Sequence, residues 1–477
     1  MRKKGSVTVF LTLILSLLLS LICASIESVR MASARTQILN GMDIGLYSLF
    51  GQYDKELLAD YDLFALDGSR GGGQLDLAAV CDELEAYMNP VLKQNSQKLT
   101  LCQSGLTGYR LLTDQKGEAF YQQIVGYMQE TLGSQGIQLL LGRMSERQEK
   151  TAQADQSANQ AQSKGSIDRY DSEMNQASEK SQQAAEEAQV VPQAPPAKNP
   201  ITIMKRIMKR GVLELVLPGG NGLSTKAIEK GTLVSGRGLQ QGLEMPDGMT
   251  TENGYTSEVL FQQYLMEHLG NYAEPSSTGL AYQVEYIFGG KDSDEDNLKA
   301  VASKLLFIRE GVNFACLMAD NVKRSEAQAL ATAIASGFLV PPAAVIIEAA
   351  LILCWAFAES VLDVRELFAG GRIPLVKSSG DWQISLGNLP DLMEGLDSMR
   401  RNDEKGMSYK DYLQVLVLTV SKEKKVMRAM DMIENTIREK GRKNFCMDSC
   451  IVALEAFADV KANKKKDFQV IRQYCYE

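Results

Sequence analysis

The chain has 477 residues, of which 45% are apolar and 23% are charged, and its formal net charge at pH 7 is -8. A chain of this length and composition predicts two or three domains with ample apolar material for buried cores. The acidic balance argues against nucleic acid as a partner, because phosphate binding requires clustered cations. The single histidine, His268, excludes histidine-rich triads and most zinc sites.

The first predicted element is a membrane-spanning helix. An apolar run of about 20 residues extends from Val7 to Ile26, enough to cross a hydrocarbon core about 30 Å thick. Arg2, Lys3 and Lys4 precede this run, so the positive-inside rule predicts a cytoplasmic N-terminus. Everything after Glu27 is then expected outside the cell membrane, as the bulk of a single-pass protein. The alternative is a cleaved secretory signal, although the run is longer than the usual apolar core of about 7–15 residues.

The helical pattern continues beyond the membrane segment. Apolar residues recur at intervals of three, four or seven from Met31 to Leu57, which is typical of an amphipathic helix. No proline interrupts the chain from Val7 to Ala59. One helix of about 50 residues, roughly 75 Å long, is therefore predicted.

Four residues on this helix are candidate contacts for a partner helix. Glu27 and Arg30 stand three residues apart at the outer end of the apolar run. They would form either an intrahelical ion pair or contacts that set the register of a partner helix. Gly41 and Gly45 form a pair of small residues four apart, a pattern that permits close helix packing.

An α+β head of pseudopilin style is predicted over residues 60–148, after the anchor and extended helix over 1–59. Alternating strand and helix patterns support this fold class. The predicted elements are, in order, a strand over 61–67, a helix over 75–88 that ends before Pro90, a strand over 98–112 and a helix over 117–149.

Residues 149–200 are predicted to form a flexible linker. The composition shifts there to Gln, Ala, Ser, Glu and Lys, and the segment ends in several prolines. Few large apolar residues are present, so this segment cannot build a core of its own.

The remaining region, 201–477, is predicted to be α+β to mainly helical, with a helical C-terminal layer over 396–476. A strand is expected over 281–289, and the Asp and Ser residues over 292–296 are expected to cap the following helix. Residues 328–358 are strongly apolar, but two prolines split them into runs of roughly 13 and 16 residues. Each run is short for a membrane span, so a buried helical hairpin is predicted.

Glu359 and Asp363 form the strongest candidate for chemistry, because their spacing places both carboxylates on one helix face. Paired carboxylates can perform acid–base catalysis or hold a cation. Salt bridges to Arg365, Arg372 or Lys377 are the structural alternative.

Several segments resemble a known family. The sequence KGSVTVFL (4–11), the long apolar helix and ESVR (27–30) resemble TadE/TadG-like proteins, which are pilin-like accessory components of tight-adherence (Flp-type) pilus and secretion systems. Further segments resemble an uncharacterised family of such proteins from clostridia and relatives; they are QYDKELL (52–58), YDLF (61–64), WAFAESVLDVR (355–365), PLVK (374–377), Trp382 and YKDYL (409–413). Trp355, Glu359, Asp363 and Arg365 form the core of this motif.

The resemblance implies a membrane anchor, a role in envelope assembly, and partners among pilin-like or secretion-platform proteins. A pilin processed after Gly5 would usually carry glutamate where this chain has Phe10, so an anchored accessory protein is expected.

The sequence thus predicts a non-enzymatic structural or assembly component of a Tad-like pilus or secretion system. No catalytic, cofactor-binding or metal-binding residues are predicted, and the eight cysteines are expected to be mostly free thiols. The alternatives are a membrane-tethered cell-envelope enzyme that uses Glu359 and Asp363, and a ligand-binding ectodomain.

Overall fold

The computed structural model describes residues 4–94, 99–164, 199–217, 222–243, 254–337, 343–392, 406–462 and 466–476, with a few positions between these ranges. The fold is mixed α+β, as predicted. The chain forms two units. Unit 1 comprises Met1–Tyr127, Gly231–Glu252 and Ile437–Glu477, and unit 2 comprises Met128–Lys230 and Asn253–Thr436.

The elements follow in chain order. The first are α1 (Lys4–Phe50), α2 (Lys55–Tyr61), β1 (Leu66–Asp67), α3 (Leu77–Lys93), β2 (Leu99–Leu111) and α4 (Asp114–Lys164). The middle ones are α5 (Pro200–Met208), α6 (Val212–Val216), α7 (Tyr255–His268), α8 (Gln283–Gly289), α9 (Asp294–Ala319), α10 (Asn321–Gly337) and α11 (Ala344–Phe368). The last are β3 (Arg372–Ile373), β4 (Met407–Ser408), α12 (Tyr409–Leu418), α13 (Lys422–Glu439), β5 (Cys450–Ala462) and β6 (Lys466–Cys475).

Helix α1 has an exposed half and a buried half. Every side chain from 7 to 30 is exposed. The buried residues after that recur every three or four positions and face the core of unit 1; they are Ala34, Ile38, Met42, Leu46 and Leu49. The long predicted helix is confirmed as far as Phe50, where a turn separates α1 from α2.

The sheet of unit 1 is centred on β5. Strand β5 pairs antiparallel with β2 along one edge and with β6 along the other, and β1 pairs with its first residues. The side chains of Leu454, Ala456, Ala458 and Val460 are buried, and those between them are more exposed, apart from Cys450–Ala453 at its start. This period of two places one face of β5 against the core that α1 and α3 complete.

The predicted helical C-terminal layer is found in part. Helices α12 and α13 lie within it, but residues 450–475 are the strands β5 and β6, so the helical prediction is wrong there. The strand predicted over 98–112 and the helix predicted from 117 are confirmed as β2 and α4. Helix α3 includes Pro90 and continues for three residues beyond it, because Leu92 is buried in the core.

Unit 2 contains the long helices α9 and α11, which pack against each other, and α10, which packs against α11. The strand predicted over 281–289 is wrong, because residues 283–289 form helix α8. Its first five residues are all buried, so its apolar run had no exposed side from which a period could be recognised. The predicted cap is confirmed, since the Ser293 side chain accepts a hydrogen bond from the Asp296 amide.

The predicted linker begins inside a helix. Helix α4 continues to Lys164, so residues 149–164 are helical, and most of 165–198 lies outside the described residues. In the predicted apolar hairpin, α10 ends at Gly337 and α11 begins at Ala344. The two prolines between them also lie outside the described residues.

Candidate functional site

The family-motif residues of unit 2 lie on α11. Trp355, Glu359 and Asp363 are spaced four residues apart, so they share one face of the helix. All three side chains are buried, and the two carboxylates are 1–2% exposed. Burying charges at this depth is costly unless each one is paired and hydrogen-bonded.

Asp363 is held by α9. The Arg309 guanidinium donates to Asp363 Oδ2 from Nε at 3.0 Å and from Nη2 at 2.8 Å. Asn313, one turn further along α9, donates from Nδ2 to the same oxygen at 2.9 Å and to Ser360 Oγ at 2.9 Å. This geometry fixes α11 against α9.

Lys377 joins the two carboxylates. Its Nζ lies 2.5 Å from Glu359 Oε1 and 2.5 Å from Asp363 Oδ1. Glu359 also accepts from the backbone amides of Gln383 and Ile384, the latter at 3.0 Å. All four carboxylate oxygens therefore accept protein donors, and we call Arg309, Glu359, Asp363 and Lys377 the buried ion network.

The network also fixes the segment that follows β3. Arg309 Nη1 donates to the carbonyl oxygens of Pro374 and Leu375 at 3.0 and 2.8 Å. Trp355 Nε1 donates to the carbonyl oxygen of Ile384 at 2.7 Å. Residues 374–384 are thus attached to α9 and α11 through side chains that the motif supplies.

Charges within the network balance. Burial by itself would raise the pKa of Asp363, but the charges of Arg309 and Lys377 outweigh it and lower this pKa to about 2. Burial alone would lower the pKa of Arg309, and the carboxylate of Asp363 raises it instead. Two anions and two cations are consequently retained in an interior where an unpaired charge would be expelled or neutralised.

The structure separates the predicted partners of the acids. Lys377 pairs with both carboxylates, whereas Arg365 donates to the carbonyl oxygens of Leu215 and Leu217. Arg372 donates to the carbonyl oxygen of Gly406.

Sequence reasoning did not identify Arg309 and Asn313 as members of this cluster. Their signal was a polar pair four residues apart within a mostly apolar stretch of α9 that also contains Glu310.

A second buried carboxyl group lies on α8, and no cation of the described residues forms an ion pair with it. Glu285 Oε1 accepts from the Tyr409 hydroxyl at 2.6 Å and from the Tyr272 amide at 2.8 Å. Its Oε2 has no hydrogen-bond partner among the described residues. Burial raises the pKa of Glu285 to about 7, in contrast to the lowered pKa of Asp363.

Unit 2 also has an open groove of about 490 Å³. Its lining combines aliphatic and ionic side chains, with no aromatic residue among the described residues that form it: Arg143, Glu146, Arg147, Lys150, Pro374, Leu375, Val376, Gly406 and Met407. An aromatic-lined cleft with convergent polar groups was the expected sign of a ligand-binding ectodomain, and this groove differs from it.

Three of the four candidate helix contacts in unit 1 have neighbours within the chain. A Cβ added at Gly45 would lie 2.7 Å from Met88 Cγ, and one added at Gly41 would lie 3.3 Å from Leu92 Cδ2. The two glycines therefore allow α3 to approach α1, and they are not open to another molecule. Glu27 lies 3.8 Å from Lys466 Nζ, and Arg30 is exposed.

Comparison with known protein families identifies one match. Residues 192–462, more than half of the chain, match a family of unknown function (DUF5702). The chain belongs to this family, and the matched range contains the whole buried ion network. Searches of curated proteins and of solved structures give no match.

Proposed function

We propose that the protein is a non-enzymatic structural or assembly component of a Tad-like (Flp) pilus or secretion system, anchored in the cell membrane with its bulk outside. The observation that carries this proposal is the division of α1. One continuous helix offers an exposed apolar half long enough to span a bilayer, and its other half is part of the core of unit 1. An anchor built in this way is rigidly joined to the domain that it holds.

The N-terminal sequence supports the assignment to a Tad-like system. The segments at 4–11 and 27–30 resemble TadE/TadG-like proteins, and a long helix whose outer half packs on an antiparallel sheet is an arrangement suited to pilin-like assembly. Arg2, Lys3 and Lys4 before the apolar run favour a cytoplasmic N-terminus. The expected partners are pilin-like or secretion-platform proteins of the same membrane.

The buried ion network supports a structural role for the motif residues. A catalytic acid or base must reach its substrate within hydrogen-bond distance or through one water molecule. The carboxylates of Glu359 and Asp363 are 1–2% exposed, and every one of their oxygens accepts a protein donor. Their arrangement is suited to holding residues 374–384 in place.

Intact mass of the membrane-bound protein, measured together with protease shaving of protoplasts, tests the proposal. We expect the full-length mass and an outer part that external protease removes. A mass that corresponds to a chain starting at Ser6 would instead indicate a processed pilin subunit. A mass that corresponds to a chain starting near Ile26 would indicate a cleaved signal and a released protein. That result would overturn the membrane-anchored assignment.

The assembly role needs a second measurement. The full chain would be captured from detergent-solubilised native membranes, with an unrelated single-pass protein as the control bait. Enrichment of pilin-like or secretion-platform proteins over the control is expected. Capture without any such enrichment would contradict the Tad-like role and leave the anchor itself unaffected.

A further inference from the structure

The β5–β6 hairpin lies alongside the outer half of α1. Lys466 Nζ is 3.4 Å from Met31 Sδ, and Arg472 Nε is 2.9 Å from Asp43 Oδ1. From Lys466 to Arg472 a strand rises about 20 Å, and from Met31 to Asp43 a helix rises about 18 Å. Because these lengths agree, β6 runs beside α1 in the same direction, with Lys466 at the end nearer the apolar segment.

This end of the hairpin lies at the level where the apolar segment stops. Ile26 is the last residue of the apolar run, and Lys466 lies beside Glu27 and Met31. The axial distance from Ile26 to Met31 is about 8 Å. The polar layer on each face of a bilayer is about 5–8 Å thick, so the Lys466 ammonium group would lie within it.

Cations at this level are available to a ligand. Lys461 and Lys466 come from the two paired strands, and their side chains are 50% and 48% exposed. Their acidic neighbours, Asp467 and Glu27, lie at 3.7 and 3.8 Å and are more exposed still. Exposed ion pairs of this length are weak and exchange readily with other anions. Arg30, on the adjacent turn of α1, has no ion-pair partner in the part of the chain that the structure describes.

We infer that Lys461, Lys466 and Arg30 form a binding surface for anionic phospholipid headgroups of the membrane that α1 spans. This inference rests on the membrane anchoring proposed above. Lysine and arginine side chains suit this position because their apolar stems lie along the protein while their charged ends reach the headgroups. Contact at both α1 and the hairpin would fix the tilt of unit 1 on the membrane, which a single helix alone cannot do.

The test uses the full chain in nanodiscs of phosphatidylcholine alone or of phosphatidylcholine with three-tenths phosphatidylglycerol. Native mass spectrometry would count the lipids that remain bound when the protein is released. We expect preferential retention of phosphatidylglycerol by the wild type, with a loss of about five-fold for each cation removed at low salt. The test variant is Lys461→Glu with Lys466→Glu, and the matched control is Lys55→Glu, an exposed lysine at the start of α2, just beyond the far end of α1.

Each outcome has a definite meaning. Retention of phosphatidylglycerol by the wild type and the control, with loss in the double variant at unchanged circular dichroism, supports the surface. Equal retention of both lipids, or an unchanged preference in the double variant, overturns it while leaving the anchor intact. Suppression of retention by millimolar glycerol phosphate would make free phosphate the ligand and overturn the assignment to lipid. Failure of the full chain to enter nanodiscs would overturn both this inference and the proposed anchoring.

Discussion

Helices α1 and α11 have similar composition and opposite surroundings. Both contain a stretch long and apolar enough to cross a membrane, with mean hydropathy of 2.7 and 2.1. The apolar stretch of α1 is wholly unburied, whereas 78% of that of α11 is buried within the protein. Residues 7–26 contain no Asp, Glu, Lys or Arg, while α11 carries Glu359, Asp363 and Arg365, each bound by protein groups. The two helices are therefore distinguished less by their hydropathy than by the charged side chains of α11, which are paired with protein groups as expected in a folded core.

The largest expected effect comes from removing a cation of the buried ion network. Lys377→Met leaves the carboxylates of Glu359 and Asp363 without their shared partner. We expect the free energy of unfolding at pH 7 to fall by about 3–5 kcal/mol, because an uncompensated buried charge remains. Urea denaturation of the full chain in detergent, followed by circular dichroism, would measure this loss.

The matched control is Lys410→Met, which removes the cation of a partly exposed ion pair with Glu274 in the same unit. It should cost at most about 1 kcal/mol. Adding Glu359→Gln to Lys377→Met should recover part of the loss, because it removes one of the uncompensated charges. Equal costs for the two lysine variants would show that the network does not stabilise α11.

A smaller effect is expected at Glu285, a buried acid with which no cation of the described residues forms an ion pair. Its pKa is about 7 in the folded protein and 4.5 when unperturbed. Between these two pH values the folded state therefore keeps a proton that the unfolded state loses. The contribution of Glu285 to the free energy of unfolding is full below pH 4.5 and disappears as the pH rises to 7. That contribution corresponds to about 3 kcal/mol.

Glu285→Gln should remove this pH dependence. The difference in unfolding free energy between variant and wild type should shift in favour of the variant by about 3 kcal/mol between pH 4.5 and 7.5. Glu274→Gln, at an exposed position of the same unit, is the control and should show little change across this range. Parallel pH profiles for wild type and Glu285→Gln would mean that folding does not raise the pKa of Glu285.

The smallest expected effect tests the packed half of α1. A Cβ at Gly45 would lie 2.7 Å from Met88 Cγ and 3.1 Å from Leu84 Cδ1, so α3 would have to shift. At Gly126, on α4, an added Cβ meets nothing within 4 Å. Both changes to alanine gain helix propensity, so we expect Gly45→Ala to be about 1–3 kcal/mol less stable than Gly126→Ala. Thermal unfolding of the two variants measures this difference, and equal stability would show that α1 and α3 tolerate wider spacing.

Local patterns predicted much of the fold. The apolar run and the stripe after it predicted α1, and the acids beside Ser293 predicted the start of α9. The prediction failed where the partner of a segment is distant in sequence. Strand β5 pairs with β2 about 350 residues earlier, and its alternation from Leu454 to Lys461 was the one local sign of a strand. The run over 281–289 was ambiguous because a fully buried helix shows no exposed face.

The sequence likewise predicted only part of the candidate site. The spacing of Glu359 and Asp363 placed both on one helix face, and Lys377 was among the salt-bridge partners that the sequence suggested. No pattern linked Arg309 to them, because it lies 54 residues before Asp363 on another helix. Whether a carboxylate pair is open to a substrate depends on its surroundings in the fold.

The sequence by itself determined the long N-terminal helix, its apolar half and the positions of the paired acids, because periodicity and spacing are local properties. Only the tertiary structure decided that α11 is buried within the protein and that Arg309 and Lys377 pair with its acids. The tertiary structure also decided that α3 packs closely against the two glycines of α1. It also decided that the chain's last strands lie beside α1. These outcomes depend on contacts between residues far apart in the chain, where burial and charge pairing set the free energy and local preference has little influence.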